Sequence, residues 1–377
     1  PKKSARISSG TTPHDSTDLN DMGNYLNCSL WDRLKAHDKP IFLYGTGNGA
    51  DKIIAALDKY GVSLDGIFAS DGFVRDRQFH GFHVRSYSDV TAEYGDDIIV
   101  LLAFGTTLES VRAFIEELDK KHELIIPDVP LYGGDLFDLA YLNAHINELD
   151  AARELLSDEE SVSLFDDAVN FRLSGRLEFL QRTEETADSL KSLFAGRHIS
   201  SIIDGGAFKG DSAAVFAESL SPDVIYAVEA DPKTFVKLSA YAESEKRCKV
   251  VPINAALSDK DGEVEYSSSG SRGAGEEGRN RRAKTHTAKC ISLDSYFADA
   301  GIDLIKLDIE GAEAEAISGG TELIKRCEPD MAVSLYHRTD DIFSLIFIVH
   351  ALLPHHKLFL RRVRCIPMWD ITLYAIK

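Results

Sequence analysis

Ile202-Ile203-Asp204-Gly205-Gly206-Ala207-Phe208-Lys209-Gly210-Asp211 takes the chain from an apolar strand through a glycine-rich turn into a helix opening near Asp211. A second apolar strand, Val224 to Val228, ends in Glu229-Ala230-Asp231, with Glu229 24 residues after Gly205. In an α/β sheet this pairing holds a nucleoside. Glycines let the backbone approach the ligand, and the acidic residue accepts hydrogen bonds from ribose hydroxyls. The turn reads Asp-Gly-Gly-Ala-x-x-Gly rather than Gly-x-Gly-x-x-Gly, so it lacks the dinucleotide spacing. A nucleoside without a pyrophosphate fits better, and S-adenosylmethionine is the candidate it favours.

Working outward, further strands are predicted at Lys249–Ile253, Asp303–Asp308 and Met331–Tyr336, followed by Lys357–Arg361 and Asp370–Ile376 as an antiparallel hairpin at the sheet edge. Five strands plus a closing hairpin is the count of a class I methyltransferase sheet. Upstream, a second α/β pattern runs from Ile41–Tyr44 through a helix at Asp51–Tyr60, strands at Gly66–Ala69, Ile98–Leu102 and Leu124–Ile126, and a helix at Leu108–Lys121. The expected fold class is therefore α/β, with two doubly wound parallel-sheet domains, the C-terminal one Rossmann-like with the terminal hairpin. The divisions are 1–38 as tail and short helix (Tyr25–His37), 39–138 as an N-terminal Rossmann-like domain, 139–197 as a helical connector capping the second domain, and 198–377 as the domain built on the quoted turn.

Composition bounds the function. The chain has 377 residues and a formal charge of −19, which argues against nucleic-acid binding, because phosphate neutralisation supplies most of that affinity. Cys28, Cys248, Cys290, Cys327 and Cys365 form no Cys-x-x-Cys pair and read as reduced thiols of a cytoplasmic protein. No apolar run spans a bilayer, and Pro1 to Asn20 lacks a signal-peptide core and an initiating Met, as a trimmed or partial N-terminus does. Between strands three and four, Ser267 to Lys289 is a low-complexity insertion of net charge +4, with Arg272, Arg279, Arg281, Arg282, Lys284 and Lys289 against Glu276 and Glu277. It reads as a solvated loop or as a lid clamping an anionic substrate.

Three later motifs extend the pattern: Asn254-Ala255-Ala256-Leu257-Ser258-Asp259 with Gly262-Glu263-Val264, then Ile291-Ser292-Leu293-Asp294, then Ile302-Asp303-Leu304-Ile305-Lys306-Leu307-Asp308-Ile309-Glu310-Gly311-Ala312-Glu313. In this order they resemble the FkbM family of S-adenosylmethionine-dependent methyltransferases over about Ser200 to Lys377. The resemblance implies that Asp204, Gly205, Gly206, Ala207, Gly210 and Asp211 cradle the methionine portion of the cofactor. It sets Glu229 on the ribose, Ala230 and Asp231 beside the adenine, and Asn254, Ala255 and Ala256 at its border. Asp308 then faces the transferred methyl group. Phe208-Lys209 departs from the commoner Asp-x-Gly-Ala-Asn form.

Methyl transfer from a sulfonium needs an aligned nucleophile, exclusion of water and often removal of a proton. Lys306, Asp308 and Glu310 alternate along a predicted strand and so share one face. Asp308 is the candidate to take a hydroxyl proton or orient the cofactor amine, Glu310 to position substrate, and Lys306 to tune both. His337, following strand five at the same edge, is a candidate general base. A structural Lys–carboxylate network and a structural histidine are the alternatives. His355 and His356 are expected at the surface, and no metal is assigned.

In the first domain, Gly45-x-Gly47-Asn48-x-Ala50 follows a strand and precedes a helix, and Asp71 closes the next strand. A second ligand site at Gly45, Gly47, Asn48 and Asp71 is compatible with this context. The run Ala69-Ser70-Asp71-Gly72-Phe73 … Phe79-His80-Gly81-Phe82-His83-Val84 … Ser88-Asp89-Val90 looks like the N-terminal Rossmann-like domain of sugar O-acyltransferases and related glycan-pathway proteins. That resemblance implies a pocket for a nucleotide-sugar or a purely structural domain. The leading expectation is O-methylation of a saccharide or polar metabolite, with a small-molecule or glycan acceptor, anionic if the insertion is a lid, and a homodimer compatible with the apolar connector. The alternatives are an NAD(P)-dependent oxidoreductase and a non-catalytic nucleotide-sugar-binding protein.

Overall fold

The computed structural model describes residues 29–74, 76–267 and 285–377. The N-terminal tail and the core of the basic insertion, including the proposed lid arginines and Lys284, lie outside the described residues.

The chain opens with α1 (Leu30–Lys35), whose N-terminus is capped by the Ser29 hydroxyl. It continues through β1 (Ile41–Tyr44), α2 (Asn48–Tyr60), β2 (Gly66–Ala69), β3 (Gln78–Phe79), β4 (Phe82–Ser86), α3 (Tyr87–Tyr94), β5 (Ile99–Leu102), α4 (Glu109–Lys121) and β6 (Glu123–Ile125). These strands form a sheet in the order β3-β4-β2-β1-β5-β6, parallel apart from the β3–β4 pair. β1 and β5 are buried along their whole length, as strands covered on both faces must be. β3, β4 and α3 were not predicted, because Phe79-His80-Gly81-Phe82-His83 mixes polar and aromatic residues without a clear period.

α5 (Leu139–Glu154), α6 (Glu159–Ser174) and α7 (Thr186–Leu193) follow with no strand between them. Asp158 caps α6 and Gly175 ends it in the left-handed conformation. This connector serves both sheets. Ile126 N–H donates to Gly175 O (2.7 Å), while Ser157 and Ser161 hydroxyls accept from Leu358 and Leu360 N–H (2.9 and 2.8 Å).

The second sheet has the order β15-β16-β14-β13-β7-β8-β9. Its parallel members are β7 (Ser201–Gly205), β8 (Val224–Val228), β9 (Lys249–Ile253), β13 (Leu304–Leu307) and β14 (Asp330–Ser334), and β15 (Lys357–Arg362) and β16 (Ile371–Ile376) are antiparallel. α8 (Asp211–Ser219), α9 (Pro232–Ser244), α10 (Leu293–Tyr296), α11 (Glu313–Ser318), α12 (Thr321–Cys327) and α13 (Asp341–Leu352) complete the unit. Two features differ from expectation. β10 (Ala256–Leu257), β11 (Gly262–Ser267) and β12 (Thr285–Ile291) form a separate three-stranded sheet at the base of the insertion. In addition, β13 ends at Leu307, so Asp308 and Glu310 stand in the turn beyond it rather than on the strand.

The strand order reverses between β7 and β13, which pair with Asp204 opposite Lys306 and Gly205 opposite Leu307. Ligands of open α/β sheets bind at such switch points, outside the carboxyl ends of the strands. One apolar core runs continuously from Phe42 and Val100 of the first sheet to Val333 and Leu373 of the second. Among the described residues, no helix is long and apolar enough to cross a membrane.

Candidate active site

The turn after β7 forms a cradle. Gly206 and Ala207 N–H both donate to Val228 O (3.0 Å each), and Gly210 N–H closes the turn on Ala207 O (2.8 Å). Gly206 has φ +73°, and a Cβ there would collide with the carbonyl oxygen of Asp308. Asp204 is fully buried beneath the turn, accepting from Ser212 Oγ (2.6 Å) and facing Lys306 Nζ at 3.1 Å. Lys306 also donates to Gly205 O and Gly206 O, at 3.0 Å each. The Asp204–Lys306 pair therefore holds the cradle from below. The Lys306 ammonium is 4.0 Å from Asp308. Asp211, the first residue of α8, is exposed.

Beside the cradle, Glu229 accepts from Phe208 N–H (3.0 Å) and Asp231 N–H (2.7 Å). Burial pushes its carboxyl above the ordinary range, against the pull of those two N–H groups. Asp231 caps α9 by accepting from Thr234 N–H (2.7 Å). The exposed Asn254 donates from Nδ2 to Glu229 O (2.8 Å) and Ala230 O (3.3 Å), locking the ends of β8 and β9 together. Ala255 is buried behind it and Ala256 opens β10.

The third wall is polar. Asp308 accepts from Tyr336 Oη (2.9 Å) and lies 3.5 Å from His337 Nε2, which is also 3.7 Å from Glu310. His337 is fully buried, and its Nδ1 meets the buried Glu313 Oε1 at 2.9 Å. Glu313 accepts from Ile309 N–H as well (2.8 Å), so one carboxylate fixes both the imidazole and the turn. Within that turn Glu310 adopts φ +61°, a conformation costly for a residue with a Cβ, and its side chain is 56% exposed. Among the described residues no cluster of three or more His, Cys, Asp or Glu side chains is arranged to hold a metal ion.

Burial opposes charge on His337, but Glu313 foremost, then Asp308 and Glu310, reverse that, and its pKa stands above the ordinary 6.5. Asp341, beneath the same turn, is raised to about 6 by burial and by the Glu313 and Asp340 carboxylates, against the Arg338 N–H bond (2.7 Å) and the charge on His337. A raised folded pKa contributes stability that is full below the unfolded value and lost as pH climbs through the folded one. For Asp341 that window runs from 3.8 to about 6. Asp341→Asn keeps an acceptor for Arg338 and removes the loss, up to about 3 kcal/mol at the exchange rate of one pKa unit. The variant is expected to melt several degrees above wild type at pH 8 and level with it at pH 4, measured by calorimetry across that range.

Sequence reasoning missed Ser212, Tyr336, Glu313 and Arg338. Glu313 closes the quoted motif and Tyr336 adjoins His337, so both carried a positional signal. Ser212 sits one residue beyond the recognised turn. His356, expected at the surface, is buried against the Glu328–Pro329 backbone near Asp330, and burial lowers its pKa; only His355 is exposed.

The first-domain residues do not converge in the same way. Asp71 accepts from Ser88 N–H (3.0 Å) and Ser88 Oγ, which commits it to the start of α3 and lowers its pKa. Phe104 packs against Gly45, Arg77 donates to Thr46, and the Trp369 ring from the β15–β16 connection lies on Gly105. Both Asp71 oxygens are thus engaged by Ser88.

A glycine cradle, a carboxylate just beyond the neighbouring strand β8 and an acidic edge at a β7/β13 switch point are the arrangement of a class I methyltransferase site. Residues 204–362 are a methyltransferase FkbM domain, matching that family along this stretch. The cofactor of the domain is S-adenosylmethionine. The chain is similar to the 2-O-methyltransferase NoeI of Sinorhizobium fredii (strain NBRC 101917 / NGR234), 26% identical over 145 aligned residues that cover 33% of this chain and 59% of the relative. The fold of almost the entire chain (96%) recurs in the crystal structure of methyltransferase FkbM from Methylobacillus flagellatus KT, all of which is covered, with a TM-score of 0.67 and 16% identity.

Proposed function

We propose that this protein transfers a methyl group from S-adenosylmethionine to a hydroxyl oxygen of a saccharide or another polar metabolite. The observation carrying the reading is Asp308, a carboxylate ordered by Tyr336 and His337 immediately beyond the glycine cradle. The kinship with a 2-O-methyltransferase supports oxygen as the accepting atom.

The chain fits the nucleoside. The missing Cβ lets the Gly206 turn lie directly against the Asp308 carbonyl, and Glu229 is pre-oriented by two backbone N–H groups with lone pairs left for ribose hydroxyls. When bound, S-adenosylmethionine supplies an electrophilic methyl on a sulfonium. The protein must align the acceptor oxygen and receive its proton. Asp308 takes that proton at Oδ. Glu310, more exposed, accepts hydrogen bonds from neighbouring acceptor hydroxyls. His337, its pKa raised by the carboxylates around it, serves as the partner of Asp308 and Glu310 instead of acting as the base.

Glu229→Ala removes a charged acceptor of two ribose hydrogen bonds, a loss of about 2 kcal/mol or more, some 30-fold in affinity. Calorimetric titration with S-adenosylhomocysteine checks this, with NADH in parallel. Micromolar binding to wild type, weakened in the variant and absent for NADH, is the expected result. NADH binding without S-adenosylhomocysteine binding overturns the proposal.

A further inference from the structure

The segment that leaves β6, residues 126–138, does not stay with the first sheet. Lys52, on α2 just after the Gly45–Gly47 turn, donates to Pro130 O (2.7 Å) and Leu131 O (2.6 Å) and so steers the next residue. That residue is Tyr132, whose N–H donates to His337 O (3.2 Å) and whose ring stands edge-on to the His337 imidazole at 5.8 Å. Further along, Thr339 Oγ1 donates to Asp135 O (2.6 Å). Gly311 makes the approach feasible: a Cβ at its φ of +90° would lie 3.1 Å from Tyr132 Cβ and 3.4 Å from Arg338 Nε. Arg338 donates from Nε to Gly311 O (2.8 Å), which leaves its exposed guanidinium at the same rim.

We infer that the acceptor pocket is composite: the N-terminal domain supplies its outer wall, Tyr132 is the ring on which the apolar face of a sugar rests, and Lys52 is the positioning residue of that wall. This rests on the reading of the protein as a methyltransferase of saccharide hydroxyls. The half-buried Tyr132 joins a flat apolar face to a polar edge beside His337, whose imidazole also faces Asp308 and Glu310, as a ring carrying both C–H faces and hydroxyls requires. It also gives the first sheet a task that its own glycine turn, with Asp71 committed elsewhere, does not.

The test uses the full chain with S-adenosylhomocysteine bound, and a panel of methyl hexopyranosides and methyl 6-deoxyhexopyranosides as probes. Binding is read by saturation-transfer NMR on that complex, and turnover is read separately, with S-adenosylmethionine in place of the product as methyl donor, by S-adenosylhomocysteine formation. Tyr132→Leu keeps apolar bulk but removes the ring, and is expected to lower kcat/KM about tenfold and abolish the glycoside signal. Its S-adenosylhomocysteine affinity should be unchanged, and Tyr132→Phe should stay close to wild type. Lys52→Met is expected to raise the glycoside KM with kcat unchanged, and Lys52→Arg to restore it. Glycoside signals equal in wild type, Tyr132→Leu and Lys52→Met overturn the composite pocket and leave the methyltransferase reading standing. Wild type that binds S-adenosylhomocysteine but no glycoside overturns the saccharide acceptor, and this inference with it.

Discussion

Asp308→Asn is expected to lower turnover by roughly 10²- to 10⁴-fold, the usual contribution of a positioned proton acceptor, while S-adenosylhomocysteine affinity changes little. The substitution keeps the volume and an oxygen for the Tyr336 hydroxyl, so the 2.9 Å contact can persist without the negative charge. Glu229 and the cradle keep their own partners, none of which is the Asp308 carboxylate. Single-turnover rates at saturating cofactor, compared with calorimetric affinity, separate the two effects. The pH profile carries the rest of the argument. If His337 is the cation that holds Asp308 and Glu310, the wild-type rate falls as pH rises through the elevated His337 pKa. His337→Gln then removes that limb at modest cost to the plateau rate. A rate that climbs through neutrality, with His337→Gln as damaging as Asp308→Asn, would transfer the proton-accepting role to the imidazole.

Gly206→Ala is the second large effect, and it acts through the backbone. The added methyl collides with the Asp308 carbonyl, which is backbone and cannot swing aside, and φ +73° is unfavourable for alanine by itself, together a penalty of order 1–3 kcal/mol or more. Because β7 and β13 are paired up to Gly205 and Leu307, relief requires moving one strand end against the other. The cradle and the Asp308 turn should therefore fail together. The expected outcome is no detectable S-adenosylhomocysteine binding and a clearly lowered Tm. Normal binding in this variant would mean that the turn does not contact the cofactor.

The glycine cradle and the carboxylate beside it were legible because their parts are local. Asp204 to Asp211 and Glu229 to Asp231 are short runs in which backbone shape dictates residue type, and each run sits where a strand end brings it. The two sheets were legible for the same reason, since buried strands such as Ile99–Leu102 are continuous apolar runs. The contacts around Tyr132 were not. Tyr132 reaches His337 across more than 200 residues of sequence, in a loop whose Pro-Leu-Tyr-Gly-Gly composition says only that it turns. Lys306 and Asp308 were rightly singled out as neighbours, but strand alternation misjudged Glu310, because the ladder stops at Leu307 and the chain enters a left-handed turn. Asp71 misled in the opposite direction. A carboxylate at a strand end looks the same in sequence whether it awaits a ribose or, as here, receives the first N–H groups of a helix.

The serines that join the connector to β15 have a consequence for how copies of this protein meet. β15 is the last strand of a seven-stranded sheet, and such a border is open to pairing with a neighbouring chain unless something occupies it. Here Ser157 takes both the N–H and the C=O of Leu358, Ser161 takes the N–H of Leu360, and Glu184 N–H takes the carbonyl of Arg362. The border is closed from within, residue by residue, so self-association by strand addition is blocked there. Any fragment cut to begin at the methyltransferase sheet would lose that closure and gain a sticky rim.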